Sequence, residues 1–203
     1  MISSLVYRDT KLAAQDPSDE ELAALKAEPN VILWIDLSEP TESETRRILE
    51  TLCGFHPLTI EDCVRESPLP KLEAYDDYLY FIMHAADSAD PKNLRTTEVD
   101  FFLGRNFLIT YHRSSIKPVS DAFGYFLRSS SLPVRGPDRF AHTLLDYMVE
   151  AYKPAIETLR REVETALQRF PKDYVLLGEL RDLAAADRDH EALLQLQEKV
   201  HKQ

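Results

Sequence analysis

The sequence predicts an α/β domain, with a mixed β-sheet followed by long helices toward the carboxyl end. Three observations predict it. Between Leu5 and Phe55, apolar runs of strand length alternate with capped helical segments. From Lys71 to Tyr111 the chain turns to successive aromatic and β-branched runs joined by short polar turns. After Pro137 strand signals cease, and leucines and alanines recur at three- and four-residue spacing among charges. With 203 residues, 44% hydrophobic and 29% charged, the chain has enough apolar material for a core and an ordinary globular composition.

Leu5–Tyr7 reads as the first strand. Ser18 with Glu21 forms a capping box opening a short helix that ends before Pro29. Val31–Leu37 is a buried strand. Thr41 with Glu44 caps a second helix carrying Ile48, Leu49 and Leu52, which Gly54 stops, and Pro57 suits the first position of a third. Strands are expected at 71–74, 78–86, 98–103 and 106–111, with a polar turn at 87–93 and a hairpin at Gly104-Arg105-Asn106. Pro118–Ser129 reads as a helix with Val119, Phe123 and Phe126 inward. From Pro137 one long helix is expected to about Phe170, kinked at Pro154. At 1.5 Å per residue a helix of some thirty residues is about 45 Å long, as an element packing between subunits would be. Domain boundaries are expected at 1–132 for the α/β part and 133–203 for the helical part.

Composition excludes several classes. Lys and Arg number 24 against 35 Asp and Glu, a net charge of −11. The first 156 residues hold 16 of the basic and 25 of the acidic side chains. Such a surface repels phosphate backbones and anionic lipid, so cations rather than nucleic acid are the expected company. The longest apolar runs are of strand length, so the chain itself reads as soluble. The amino terminus shows no secretory signal. Cys53 and Cys63 form no CxxC pair and are expected to pack in the core of a cytosolic protein.

Phosphate-cradling glycine loops, HExxH, zinc-type Cys/His spacing and a GxSxG elbow are all missing, so no enzyme is expected. What remains is carboxylate. Glu61 and Asp62 are adjacent on a short helix and point about 100° apart, so by themselves they cannot chelate one ion symmetrically, although each can offer an oxygen to a second surface. His142, Asp146 and Glu150 recur every four residues and form one polar stripe. Oxygen donors suit hard divalent ions such as Mg²⁺. The same acids also fit a plain structural role, as dipole partners near a helix start or as a solvated face. His56 is expected to fix a helix entry, Trp34 to lie in the core, and Tyr75, Tyr78, Tyr80 and Phe81 to pack on the sheet.

The block Phe55-His56-Pro57-Leu58-Thr59-Ile60-Glu61-Asp62-Cys63-Val64, followed by Pro70-Lys71-Leu72-Glu73-Ala74-Tyr75-Asp76-Asp77-Tyr78, resembles the CorA family of divalent-cation channels. So do Glu98–His112 and Leu144–Tyr152 with Pro154, in the family's order, over roughly residues 31–159. The resemblance implies an α/β/α sandwich whose long helices form a funnel toward two membrane helices. It implies the cytoplasmic domain of a homopentameric inner-membrane Mg²⁺/Co²⁺ channel, in which Mg²⁺ between neighbouring subunits favours the closed state. The positions matching the family's interface ligands are Glu61, Asp62 and Asp146. The family's pore helices and Gly-Met-Asn signature are missing from this sequence, which is therefore expected to be a fragment. From about Ala166 the tail does not match the family's stalk, and Asp182 and Asp189 are only weak candidates for the ligand that stalk supplies from a neighbouring subunit.

Other readings stand beside this one. A zinc-transporting branch of the same superfamily shares the fold, but a dedicated Zn²⁺ site would more often recruit histidine or cysteine. A carboxylate-based metal-dependent hydrolase would need a nucleophile and base that the sequence does not supply. An oligomerising scaffold would leave all three acids merely solvated.

Overall fold

The computed structural model describes residues 1–67, 69–87, 95–128 and 133–169. The chain divides into two compact units, 1–152 and 153–203. In the first, the strands β1 (Ile2–Arg8), β2 (Lys11–Gln15), β3 (Val31–Ser38), β4 (Lys71–Ala74), β5 (Tyr78–Asp87), β6 (Arg95–Gly104) and β7 (Phe107–His112) form one sheet in the order β2-β1-β3-β7-β6-β5-β4. β3 and β7 run parallel, and the other described pairings are antiparallel. This is the mixed sheet the sequence predicts.

Strand alternation divides the core. Leu33, Ile35, Leu37, Tyr80, Ile82, Phe102 and Ile109 face one side, while Leu5, Tyr7, Trp34, Val99, Phe101 and Leu108 face the other. On the first side lie α1 (Asp19–Lys26), α2 (Glu42–Thr45) running into a π-helical stretch Arg46–Leu52, and α3 (Pro57–Val64), which contribute Leu22, Ile48, Leu49 and Cys63. On the second lie α4 (Lys117–Arg128) and α5 (Asp138–Glu150), contributing Val119, Phe126, Phe140, Leu144 and Met148. Two helical layers thus cover a sheet whose central strands are apolar on both faces, an α/β/α sandwich. Trp34, Tyr7, Phe126 and Phe140 form an edge-to-face aromatic knot on the α4–α5 side, with Trp34 fully buried as expected.

Both expected capping boxes are present. The Ser18 and Thr41 hydroxyls accept from the amides of Glu21 and Glu44, whose carboxylates accept from the amides of Ser18 and Thr41. Two expectations need correction. β2 was not foreseen, because its hairpin turns on Asp9 and Thr10, both at positive φ (51° and 68°), where a turn usually carries Asn or Gly. The single long helix is in fact two, α5 and α6 (Lys153–Arg169), parted at Ala151 and Tyr152 rather than kinked at Pro154. Pro154 sits in the first turn of α6, where its missing N–H and fixed φ cost nothing. The part of the tail that follows residue 169 lies outside the described residues.

Candidate metal centre

The α3 helix is set by its first residues. His56 is extended and its Nδ1 accepts the Leu58 amide at 3.2 Å, while Pro57 supplies a preset φ at the first helical position. His56 thus fixes a helix entry, as the sequence suggests. Thr59 and Cys63, one turn apart, face the sheet. Glu61 and Asp62 therefore emerge partly exposed at the surface. Glu61 pairs with Arg65 at 2.8 Å. Asp62 accepts from Lys71 Nζ at 2.6 Å. Lys71 also reaches Glu73 at 2.9 Å, and Glu73 accepts from the Tyr75 hydroxyl at 3.0 Å. Hydrogen bonds first to Asp62 and then to Glu73 hold the Lys71 ammonium protonated beyond the ordinary lysine range.

A buried polar layer supports α3 from below. Arg113 donates to the Cys63 carbonyl at 2.7 Å, satisfying one of the helix's terminal acceptors, and to Glu98 at 3.3 Å. Glu98 also accepts from the Ser67 amide, and the Ser67 carbonyl meets His84 Nε2 at 3.0 Å. Tyr80 donates to Asp100 at 2.7 Å and lies 3.9 Å from the Cys63 sulfur. Burial pushes the Asp100 carboxyl up to about 7 and raises Glu98 and the Cys63 thiol as well. Cys53 and Cys63 are both free thiols, and burial pushes Cys53 up to about 11.

Asp146 lies elsewhere. It is an exposed residue of α5, whose inner face is Phe140, Ala141, Leu144 and Met148, and its carboxylate meets His142 Nδ1 at 3.2 Å. α3 and α5 cover opposite faces of the sheet, so the structure separates Asp146 from Glu61 and Asp62. Among the described residues no three His, Cys, Asp or Glu side chains converge as a metal-binding group. Two open grooves, of about 570 and 560 Å³, are lined by none of the three acids. The donor set is nonetheless of the right chemistry for a hard cation. Carboxylate oxygens at a water-exposed surface suit an ion that keeps part of its hydration shell. Asp182 and Asp189 lie outside the described residues.

Lys71, the counter-charge at Asp62, and Glu73, the second partner of Lys71, are not singled out by the sequence. Their two-residue spacing places them on one face of β4, a signal available in the sequence. That this face meets α3 depends on the packing.

The seven-stranded mixed sheet sandwiched between helices is the fold of a CorA-type soluble domain. Residues 29–201 match the family model for CorA-like Mg²⁺ transporter protein, and the chain belongs to that family. YfjQ of Bacillus subtilis strain 168, which bears the name of a metal ion transporter, is 30% identical over 152 residues, covering 74% of this chain and 46% of the relative. The cobalt/magnesium transport protein CorA of Thermotoga maritima is 21% identical over 150 residues, covering 70% and 42%. The chain therefore spans less than half the length of these curated relatives. The fold is similar to the complete CorA magnesium transporter of Methanocaldococcus jannaschii, with a TM-score of 0.60 at 18% identity, covering 87% of this chain and 55% of that one. It is similar also to the full-length CmaX protein, with a TM-score of 0.63 at 15% identity, covering 97% and 56%. Among the described residues no helix is long and apolar enough to cross a membrane.

Proposed function

We propose that this chain is the cytoplasmic metal-sensing part of a Mg²⁺/Co²⁺ transport channel of the inner (plasma) membrane, working as a homo-oligomer, pentameric in the whole protein. Glu61 and Asp62 of one subunit and Asp146 of a neighbour hold a divalent cation, and occupancy favours the closed state. The observation that carries this reading is the placement of the acids on helices covering opposite faces of the sheet. One ion cannot bridge them within a single sandwich, but it can bridge two sandwiches set side by side. A cation that neutralises carboxylates across that boundary stabilises the assembly in which they face each other, and so biases a two-state equilibrium by differential affinity. No catalytic role is assigned. Mg²⁺ is preferred to Zn²⁺ because the three proposed ligands are all carboxylates and Cys63 is buried, which leaves His142, 3.2 Å from Asp146, as a single imidazole rather than the set of soft ligands a dedicated zinc site recruits.

The test is thermal unfolding together with oligomer mass, at fixed ionic strength, with and without Mg²⁺. At ten times Kd a ligand of the folded form stabilises by about 1.4 kcal/mol. A rise in Tm or in mass that Asp62→Ala and Asp146→Ala each abolish is the expected result. An unchanged response in the triple variant Glu61→Ala, Asp62→Ala, Asp146→Ala would leave the acids as a solvated face. A response to Zn²⁺ without one to Mg²⁺ would move the assignment to the zinc-transporting branch.

A further inference from the structure

Asp62 is not a free carboxylate. Lys71 Nζ sits 2.6 Å from its Oδ2 and 2.9 Å from Glu73 Oε1, so one ammonium bridges an α3 carboxylate and a β4 carboxylate. The lysine is held in place from several sides. Its charge lies 5.9 Å from the centre of the Tyr80 ring, and Glu73 is itself oriented by the Tyr75 hydroxyl at 3.0 Å. All three charged side chains are a little over one-third exposed, so the pair is open to a solvated ion at its rim.

We propose that Lys71 is a built-in competitor for the divalent cation at Asp62, resting on Glu73 when a metal ion takes its place. The proposal deepens the metal-sensing reading and rests on Asp62 being a ligand. Lys71 is covalently attached and carries one charge, so it neutralises Asp62 whenever the metal concentration is low. A divalent ion must displace the ammonium before it gains a direct oxygen contact. Glu73 lowers the cost of that exchange, because the displaced ammonium keeps a carboxylate partner. Competition of this kind multiplies the apparent dissociation constant by one plus the pairing constant. Partly exposed lysine–carboxylate pairs have pairing constants of about two to five, so the penalty is about three- to six-fold. It moves the metal response toward higher concentration without altering the ligands themselves.

The experiment titrates the full chain with Mn²⁺, a paramagnetic ion that accepts oxygen ligands, and follows broadening of the amide signals of residues 61–64. This reads a cation near Asp62 whether or not subunits associate. Wild type is compared with Lys71→Met, Lys71→Arg and Asp62→Asn, and the dispersion of the β3 amides reports that each variant is folded. In Lys71→Met, which retains an apolar stem against Tyr80, the midpoint should fall about three- to six-fold. Lys71→Arg retains a cation on Asp62 and should keep the midpoint at or above that of wild type. Asp62→Asn should remove the broadening. A Lys71→Met midpoint equal to that of wild type, with broadening still lost in Asp62→Asn, would overturn the competitor while leaving the metal-sensing reading intact. Broadening that survives Asp62→Asn, or that appears in no variant, would overturn both.

Discussion

The Tyr80 hydroxyl donates to Asp100 Oδ1 across 2.7 Å in the apolar layer between the sheet and α3, and both residues are essentially excluded from solvent. Two neighbouring strands supply the pair, since Tyr80 on β5 lies opposite Phe102 on β6, two residues from Asp100 on the same face. Burial first, and the Glu98 carboxylate with it, discourage negative charge at Asp100, and together they outweigh the hydrogen bonds from Tyr80 and Cys63 and the charge of Arg113, which favour the ionised form. The helix carrying Glu61 and Asp62 thus rests on a carboxyl group that burial inclines toward its neutral form.

This inclination sets a pH dependence. A carboxyl raised from 3.8 to about 7 binds its proton more tightly in the folded state. Its contribution to stability is therefore complete below the unfolded value and is lost as pH rises through about 7. Urea unfolding should show wild type losing on the order of 2 kcal/mol between pH 5 and pH 8 from this group. Asp100→Asn should flatten that decline. A variant whose decline matches wild type would assign it to other groups.

On the opposite face, His112 and Asp36 form a second buried pair, with Nε2 3.3 Å from Oδ1. His112 Nδ1 lies 2.6 Å from the Ser114 carbonyl and must donate to it, so Nε2 can donate to Asp36 only when the ring is cationic. Burial alone would lower this histidine, but the Asp36 hydrogen bond and charge outweigh it, and the net shift is upward. The stabilisation is thus present below about 6.5 and lost as pH rises through the folded value. His112→Gln should cost about 1–3 kcal/mol at pH 5.5 and clearly less at pH 9. An equal cost at both would show that the pair is not ionic.

The aromatic knot should dominate core energetics. Phe140 is fully buried and contacts Tyr7, Trp34 and Phe126 with ring centroids 5.5, 5.5 and 4.8 Å away. Phe140→Ala should destabilise by about 3–5 kcal/mol in denaturant titration. A loss under 1 kcal/mol would mean that the layer collapses around the deletion.

Two glycines should respond differently to alanine. Gly54, at φ 66°, ends the helical segment with open space around its would-be Cβ, so Gly54→Ala should cost only the backbone term, about 1 kcal/mol. At Gly104 a Cβ would lie 2.2 Å from the Phe107 ring, which belongs to the core on the α3 side. Gly104→Ala must displace that ring and should cost about 1–3 kcal/mol. Tm shifts of the two single variants would check the order.

Much of this architecture was legible because its signals are local. The capping boxes at Ser18 and Thr41, the helix entry at His56-Pro57 and the apolar runs of β3 and β7 each depend on residues within a few positions of one another. Glu61, Asp62 and Asp146 could be singled out for their chemistry and their family pattern on the same footing. The β1–β2 turn escaped because Thr10 adopts a conformation that its side chain disfavours, and the break between α5 and α6 because Pro154 is harmless where it falls.

By itself, the sequence determined most of the strands and helices, with their capping boxes and helix entry, because propensity and capping are properties of short stretches. Only the tertiary structure decided that Asp62 faces Lys71, that Asp146 lies on the other side of the sheet, and that Asp100 and His112 are buried beside their partners. Those outcomes follow from strand order and from which helix covers which face. Such long-range pairings arise when the whole sheet closes its two apolar surfaces, and no local pattern encodes them.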